Sequence, residues 1–377
     1  MSTITGGHKR SVRTIGWKDY GKRKKPSTDK EESKGKLTLA TGAFDANVGI
    51  WEYNNDYNKS SANGEMEADL TKGTKNEDEE WHFSTLLTGP DSEIKSLDFS
   101  PAHYSANLLA TSSRDKSVWI WEEVEDDEWE TIAVLSEHTG DVKCVSWNPE
   151  RELLASGSYD DTIRLWRDVE EEGDWACVGV LEGSGGTVWD VAWERHTHQE
   201  GMWEPRLASC SDDLSIRIWK RTLSEKEREK QGQRNGTSSA SKIPSILRPA
   251  STFETWNQET VLPTVHVRPV YAIDWSAKTG LLVSCGGDGV IAVYREAAAK
   301  QDVEDIAMNG TQEHEQASKT TWEVVALIDE AHDEYEVNHV SWAPRWDKPK
   351  RKDGEEVLVS TGDDGTVRIW ELSEDLL

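Results

Sequence analysis

Short runs of β-branched and aromatic residues alternate along this chain with clusters of Gly, Asp and Ser, the pattern of strands joined by tight turns. The runs are copies of one another. LATGAFDANVGIW ending at Trp51, LLATSSRDKSVWIW at Trp121, LLASGSYDDTIRLW at Trp166, LASCSDDLSIRIW at Trp219, LLVSCGGDGVIAVY at Tyr294 and LVSTGDDGTVRIW at Trp370 align without gaps, giving six copies. In each, an Asp stands six residues before the terminal aromatic (Asp45, Asp115, Asp160, Asp213, Asp288, Asp364), and a hydroxyl stands four residues before that Asp (Thr41, Thr111, Ser156, Ser209, Ser284, Ser360).

A further apolar strand precedes every copy: SVRTIGW, EIKSLDF, DVKCVSW, TVWDVAW, PVYAIDW and EVNHVSW. Between copies lies a strand opening on Trp: WHFSTLL, WETIAVL, WACVGVL, WNQETVL and WEVVALI. Each unit therefore predicts a four-stranded sheet, which cannot bury both faces alone; stacking such sheets radially solves that and protects their edges. The count is uneven, with six copies of the first three strands and five of the fourth.

These units resemble WD40 repeats, so the expected fold is an all-β WD40 propeller running over residues 1–377, with repeats at about 8–51, 81–121, 129–166, 175–219, 256–294 and 322–370. His8, His138, His266 and His332 stand nine or ten residues before the Trp of the first strand. In WD40 proteins such a His joins the strand hydroxyl, the turn Asp and the late Trp in a buried hydrogen-bonded chain, which here gives His138, Ser156, Asp160 and Trp166 a structural role. A His, Ser and Asp together also suggest a hydrolase triad, but recurrence in blade after blade speaks for packing, because an active site is needed once. Pro90 and Ser184 stand where two of the histidines are expected, which predicts weaker networks there.

The terminal aromatics are spaced by 70, 45, 53, 75 and 76 residues, against roughly 40 to 45 for a bare WD40 unit. The excess falls in polar stretches at 18–36, 53–80, 221–255, 297–320 and 344–355, read as flexible surface insertions, with SEKEREKQGQR a candidate short helix. KRKK and KPKRK are solvated loops by the commoner reading and nuclear-localisation or phosphate-binding patches by the other.

Composition narrows the function. The 19 Trp against 4 Phe and 4 Met match the repeated indole positions. A formal charge of −28 repels nucleic-acid phosphate and anionic lipid, so neither nucleic acid nor membrane is an expected partner. Cys144, Cys177, Cys210 and Cys285 are scattered without zinc spacing and read as reduced, buried strand residues; no cofactor or metal is expected. No leader or membrane span is visible at the N-terminus, which points to the cytoplasm, with a nuclear address also compatible with the basic runs.

More specific are SRDKSVWIWE, the acidic EEVEDDEWE, ASGSYDDTIRLW, EEEGDW, GTVWDVAW and ASCSDDLSIRIW, which together resemble the WD40 subunit of the cytosolic iron-sulfur protein assembly (CIA) targeting complex. The likeness is close over residues 108–220 and collinear through VRPVYAIDW, GGDGVIAVY, EVNHVSW and STGDDGTVRIW. The resemblance implies a non-enzymatic scaffold that joins a small bridging subunit to a HEAT-repeat adaptor, accepts a cluster from an iron-only-hydrogenase-like protein and delivers it to apo iron-sulfur clients. It also implies seven blades, the second beginning like GHKRSVRTIGW, so the expectation is that this chain lacks the family's first blade.

Equivalent positions project from equivalent places on a propeller. Just before the turn Asp stand Phe44, Arg114, Tyr159, Asp212, Gly287 and Asp363; at the mouth of the first strand stand Arg13, Lys95, Lys143, Trp189, Tyr271 and Asn338. Both sets are expected on one face. Arg13, Lys95, Arg114 and Lys143, beside Tyr159, Trp189 and Tyr271, form the candidate partner-binding arc, suited to an acidic or C-terminal-carboxylate peptide with an aromatic anchor. The alternative is that each cation merely pairs with a neighbouring acid. Arg114 also matches the family's SRDKSVW motif, in which the resemblance gives this Arg a functional surface. Competing functions are a ubiquitin-ligase substrate receptor, disfavoured because no terminal aromatic is followed by the Trp-Asp-x-Arg pattern, and a chromatin-binding propeller.

Overall fold

Every repeat begins with a strand whose core residues fall three and then two apart, as in Ile94, Leu97 and Phe99, so that one face buries while the backbone bonds to the next strand. A computed structural model describes residues 6–18, 37–53, 81–125, 128–169, 174–195, 206–222, 253–298, 320–345 and 355–373. The insertions read from the sequence, the candidate helix and both basic runs fall essentially outside the described residues. The chain divides into two compact units, one reaching Val178 and the other beginning at Gly179. No helix among the described residues is long and apolar enough to cross a membrane.

The first unit holds three antiparallel sheets in chain order. They are β1 (Val12–Trp17), β2 (Leu37–Ala43), β3 (Asn47–Tyr53) and β4 (Trp81–Thr88); β5 (Ile94–Phe99), β6 (Leu108–Ser113), β7 (Val118–Glu125) and β8 (Glu128–Leu135); and β9 (Val142–Trp147), β10 (Leu154–Ser158), β11 (Ile163–Asp168) and β12 (Trp175–Leu181), the last crossing into the second unit's sequence. The second unit holds β13 (Val188–Trp193), β14 (Leu207–Ser211), β15 (Ile216–Thr222) and β16 (Thr255–Val261), then β17 (Val270–Trp275), β18 (Leu282–Gly286), β19 (Ile291–Ala298) and β20 (Thr320–Ile328). A short strand, β21 (Ala331–Glu334), leads to a sheet of three, β22 (Val337–Pro344), β23 (Glu356–Gly362) and β24 (Val367–Trp370). These are six WD40-type blades, and the sixth lacks a fourth strand among the described residues, as the uneven sequence count predicts.

Blades pack by a repeated rule. In the first unit, Val48 and Ile50 of blade one cluster with Ile94, Leu97 and Phe99 of blade two. Likewise Val118 and Ile120 of blade two meet Val142, Val145 and Trp147 of blade three. In the second unit, Ile216 and Ile218 meet Val270, Ile273 and Trp275, and Ile291 and Val293 meet Val337 and Val340. The third strand of one blade thus covers the first strand of the next.

The innermost strand edge would otherwise leave its N–H groups unpaired. Asp98 accepts from the Trp147 N–H at 2.8 Å, Asp190 from the Ile273 N–H at 3.1 Å and Asp274 from the Trp342 N–H at 2.7 Å, each reaching from one blade to the next.

Two local devices recur in all six blades. The residue after the turn Asp has a positive φ: Ala46, Lys116, Asp161, Leu214, Gly289 and Gly365. Its N–H donates three residues back, for example from Lys116 to the Ser113 carbonyl. Beside the same turn, the first strand carries one extra, unpaired residue: Arg13, Lys95, Lys143, Trp189, Tyr271 or Asn338.

Candidate functional site

The blade-internal network holds the face of each blade in place. In blade three, Trp166 Nε1 donates to Ser156 Oγ at 2.8 Å, Ser156 Oγ lies 2.8 Å from Nε2 of His138, and Nδ1 of His138 lies 2.8 Å from Asp160. Burial alone would raise the Asp160 carboxyl, but hydrogen bonds from His138, Thr162 and the Thr139 N–H hold it well below the usual carboxylate range. The same chain runs through His8, Thr41, Asp45 and Trp51, and through His332, Ser360, Asp364 and Trp370; in blade five Tyr294 replaces the Trp beside His266, Ser284 and Asp288. Although the order Ser, His, Asp is that of a hydrolase triad, Ser156 is fully buried and its hydroxyl is already shared between an indole and an imidazole.

In the two blades without the histidine, the network is rebuilt rather than thinned. Trp119 stacks on Trp121 with ring centres 5.4 Å apart and donates to Ser117, which in turn bonds Asp115. In blade four Arg217 grips Asp213 at 2.8 Å, and the Gly185 N–H donates to the same carboxylate.

The turn set and the mouth set meet on one face of each blade. The N–H of Phe44 donates to the Ser11 carbonyl, that of Arg114 to Glu93, Tyr159 to Asp141, Asp212 to Thr187, Gly287 to Pro269 and Asp363 to Glu336. Each bond ties the residue before the turn Asp to the carbonyl two residues ahead of the mouth residue. The bulge then re-aims the mouth side chain away from the sheet.

In the first unit this brings together Arg13, Lys95, Arg114, Lys143 and Tyr159. Lys95 is bonded to Glu93 and lies 5.9 Å from the centre of the Phe44 ring. Lys143 stands 3.5 Å from Asp141 and 5.5 Å from the centre of the Tyr159 ring. Arg114, whose side chain is 60% exposed, reaches Glu93 at 3.8 Å and Asp141 at 3.9 Å. Arg13 is exposed and has no ion-pair partner among the described residues. Burial lowers the Lys143 ammonium from its ordinary value, Asp141 opposes this, and the charges of Lys95 and Arg13 lower it further. Lys95, Arg114 and Lys143 thus reach the two carboxylates Glu93 and Asp141, and Arg13 adds a fourth positive charge beside them.

The second unit places Trp189 and Tyr271 edge to face, with ring centres 5.4 Å apart. Trp189 Nε1 donates to Asp212 at 2.5 Å, and the Tyr271 hydroxyl donates to Glu336 at 3.1 Å. Burial, with Glu336 beside it, pushes the Tyr271 hydroxyl up to about 12. Gly287 makes room for that ring, since a Cβ there would sit 3.0 Å from the hydroxyl oxygen. Arg268 stands 3.7 Å from Glu336 and Asn338 donates to Asp363 at 2.6 Å. This surface of the second unit is aromatic and acidic, whereas the surface described in the first unit carries Arg13, Lys95, Arg114 and Lys143.

Sequence comparison across repeats missed Glu93 and Asp141 in the first unit and Glu336 in the second, the acids that face the mouth residues there. Their signal was available: each stands two residues before a mouth residue, on the same side of the strand. The cysteines are free as expected; Cys144, Cys210 and Cys285 are buried, whereas Cys177 is only half-buried and bonds the Arg164 guanidinium, correcting its reading as a core residue. Among the described residues no three His, Cys, Asp or Glu side chains gather as metal ligands.

The family described as WD domain, G-beta repeat matches residues 81–122, 129–167, 175–220, 257–295 and 324–371. Among relatives, a protein of Aspergillus terreus is 46% identical over 98% of this chain and 87% of its own length. Others from Chaetomium globosum and Botryotinia fuckeliana are each 41% identical, over 98% and 100% of this chain and 85% and 87% of their own lengths. All three are named "Probable cytosolic iron-sulfur protein assembly protein 1".

Proposed function

The chain belongs to the cytosolic iron-sulfur protein assembly protein 1 family of WD40 proteins, and on that premise we propose that it is a non-enzymatic scaffold of cytoplasmic iron-sulfur protein assembly. Its rigid blades hold partner proteins while a cluster, as cargo, passes to an apoprotein. The partners proposed are a small bridging subunit, a HEAT-repeat adaptor, an iron-only-hydrogenase-like donor and apo iron-sulfur clients.

The observation that carries the binding proposal is the patch in the first unit, where Lys95, Arg114 and Lys143 share Glu93 and Asp141, with Arg13 and the exposed Tyr159 ring beside them. On a chain of charge −28, such a cluster of cations is a local patch of opposite sign that attracts an acidic partner segment. A carboxylate-bearing partner segment fits: Arg114 offers a guanidinium for two parallel hydrogen bonds, and Tyr159 an apolar wall. In the second unit Trp189 and Tyr271 are proposed as partner-contacting aromatics in their own right.

Affinity purification from a fungal extract tests the assignment, with recovery of iron-sulfur assembly factors expected; recovery of cullin adaptors or histones instead overturns it. Arg114→Glu keeps the fold, judged by near-ultraviolet circular dichroism, and is expected to lose those partners. Undiminished recovery removes Arg114 from the site.

A further inference from the structure

We infer that the face of the second unit carrying the mouth residues is a docking surface for a basic partner segment, one that presents Arg or Lys to the row Asp212, Trp189, Tyr271 and Glu336. The inference rests on the reading of the chain as a partner-holding scaffold. It gives this surface a partner class of its own, opposite in charge to that proposed for the first unit.

The row crosses three consecutive blades of one unit. Asp212 and Trp189 belong to blade four, Tyr271 to blade five, and Glu336 to the connection that enters β22 of blade six. Trp189 Nε1 donates to Asp212 at 2.5 Å, the two rings meet at 73° with centres 5.4 Å apart, and the Tyr271 hydroxyl donates to Glu336 at 3.1 Å. The connections entering the three blades, at 182–187, 262–269 and 329–336, and the turns beside the row, at 212–215 and 287–290, all lie among the described residues.

Two carboxylates at the ends of two rings set the ligand. The face of an aromatic ring attracts cations, and a hydrogen bond given to a carboxylate makes an indole or a phenol richer in electrons still. Both acids act on Tyr271: burial first, then Glu336 and Asp212, push its hydroxyl up to about 12, with Arg268 opposing. The hydroxyl thus stays a donor at neutral pH. Each carboxylate keeps lone pairs beyond the one its aromatic donor uses, and a guanidinium or ammonium can take them.

The surroundings have the same sign. On the blade-six side Asp363 accepts from Asn338 at 2.6 Å, and Glu330 and Glu334 are exposed in the connection leading there. Arg268 stands 3.7 Å from Glu336 with its side chain 65% exposed. An exposed pair of that length contributes little, so an arriving cation displaces it at small cost. An anionic segment meets Asp212, Glu336 and Asp363 together and is repelled. Val267 and Tyr335, exposed in the connections into blades five and six, offer apolar surface to the stems of Arg and Lys.

Fluorescence anisotropy of the full chain tests this with a short labelled peptide of alternating Gly and Arg, against the same peptide carrying citrulline, the neutral isostere, in place of Arg. The chain is expected to bind the Arg peptide and not the citrulline peptide. Glu336→Gln and Asp212→Asn keep an acceptor for their aromatic donors, so the fold is retained, and each is expected to weaken binding about three- to tenfold. Tyr271→Leu, checked by circular dichroism, is expected to do the same, and the two amide variants carry the test should it misfold. Glu128→Gln removes an equal charge from an exposed position of β8 in the first unit and is expected to leave binding unchanged. That control separates the row from the general pull of a chain of charge −28. Absence of Arg-peptide binding overturns the inference, and so does an equal loss in Glu128→Gln and Glu336→Gln. Either result overturns this inference alone, because the scaffold reading is decided separately, by what the chain recovers in affinity purification.

Discussion

Nε of Arg114 stands 3.9 Å from Oδ2 of Asp141, across the seam between blades two and three. Asp141 also faces Lys143 at 3.5 Å, so one carboxylate restrains two cations of the proposed site. Removing that restraint leaves the cations to an incoming acid. Asp141→Asn is expected to tighten binding of a carboxylate-bearing partner, and Arg114→Glu to weaken it by about tenfold or more, which is about 1.4 kcal/mol. Isothermal titration at two salt concentrations checks both, since each effect shrinks as charges are screened. Equal affinities for wild type and Asp141→Asn would show that the pair does not gate the site.

Trp166→Phe leaves Ser156 without its indole donor in a fully buried place. The expected loss is about 1 to 2 kcal/mol in urea unfolding. His138→Ala removes the middle of the chain and strands both Ser156 and Asp160, so its loss should exceed that of Trp166→Phe. If the two costs are equal, the imidazole does no more than fill space.

The left-handed turn residue provides a stability test free of packing. Lys116 has φ 76° and an exposed side chain, so Lys116→Gly relieves strain and is expected to stabilise by roughly 0.5 to 1 kcal/mol. Gly365 has φ 73°, and a Cβ added there would meet nothing within 4 Å, so Gly365→Ala should cost a similar amount by strain alone. Thermal melts of both variants, with opposite signs, are the expected result.

These positions also show what a sequence makes legible. The Trp166, Ser156, His138 and Asp160 network was readable because the same residue types recur at fixed spacing. Its substitutes were harder to read: Trp119 reaches Asp115 through Ser117, and Arg217 bonds Asp213 as Arg368 bonds Asp364 in blade six, where the contact accompanies the histidine instead of replacing it. The turn conformation shows through as glycine only at Gly289 and Gly365, while Ala46, Lys116, Asp161 and Leu214 conceal it. The bulge at each mouth residue was legible only as a spacing: the core residues of the first strand fall three and then two apart, as in Ile94, Leu97 and Phe99, where an unbroken strand alternates by two. The proposed site was therefore found by position, while its charge was set by Glu93 and Asp141, which the comparison of like positions passed over.

Asp190 gives the chain a titration of its own. Burial raises its carboxyl to about 7, against the opposing pull of the Ile273 and Val191 N–H groups. Because the folded value lies above the ordinary 3.8, the folded state holds a proton that the unfolded state has released. This group's contribution to stability therefore falls as pH rises from about 4 to about 7 and is level beyond. Asp190→Asn keeps an oxygen for the Ile273 N–H and carries no charge. Its melting temperature is expected to exceed that of the wild type by a few degrees at pH 8, and by less at pH 5. A gain of the same size at both pH values would mean that the carboxyl is ionised throughout, and that the carboxylate is stabilised by its two backbone donors more than it is penalised by burial.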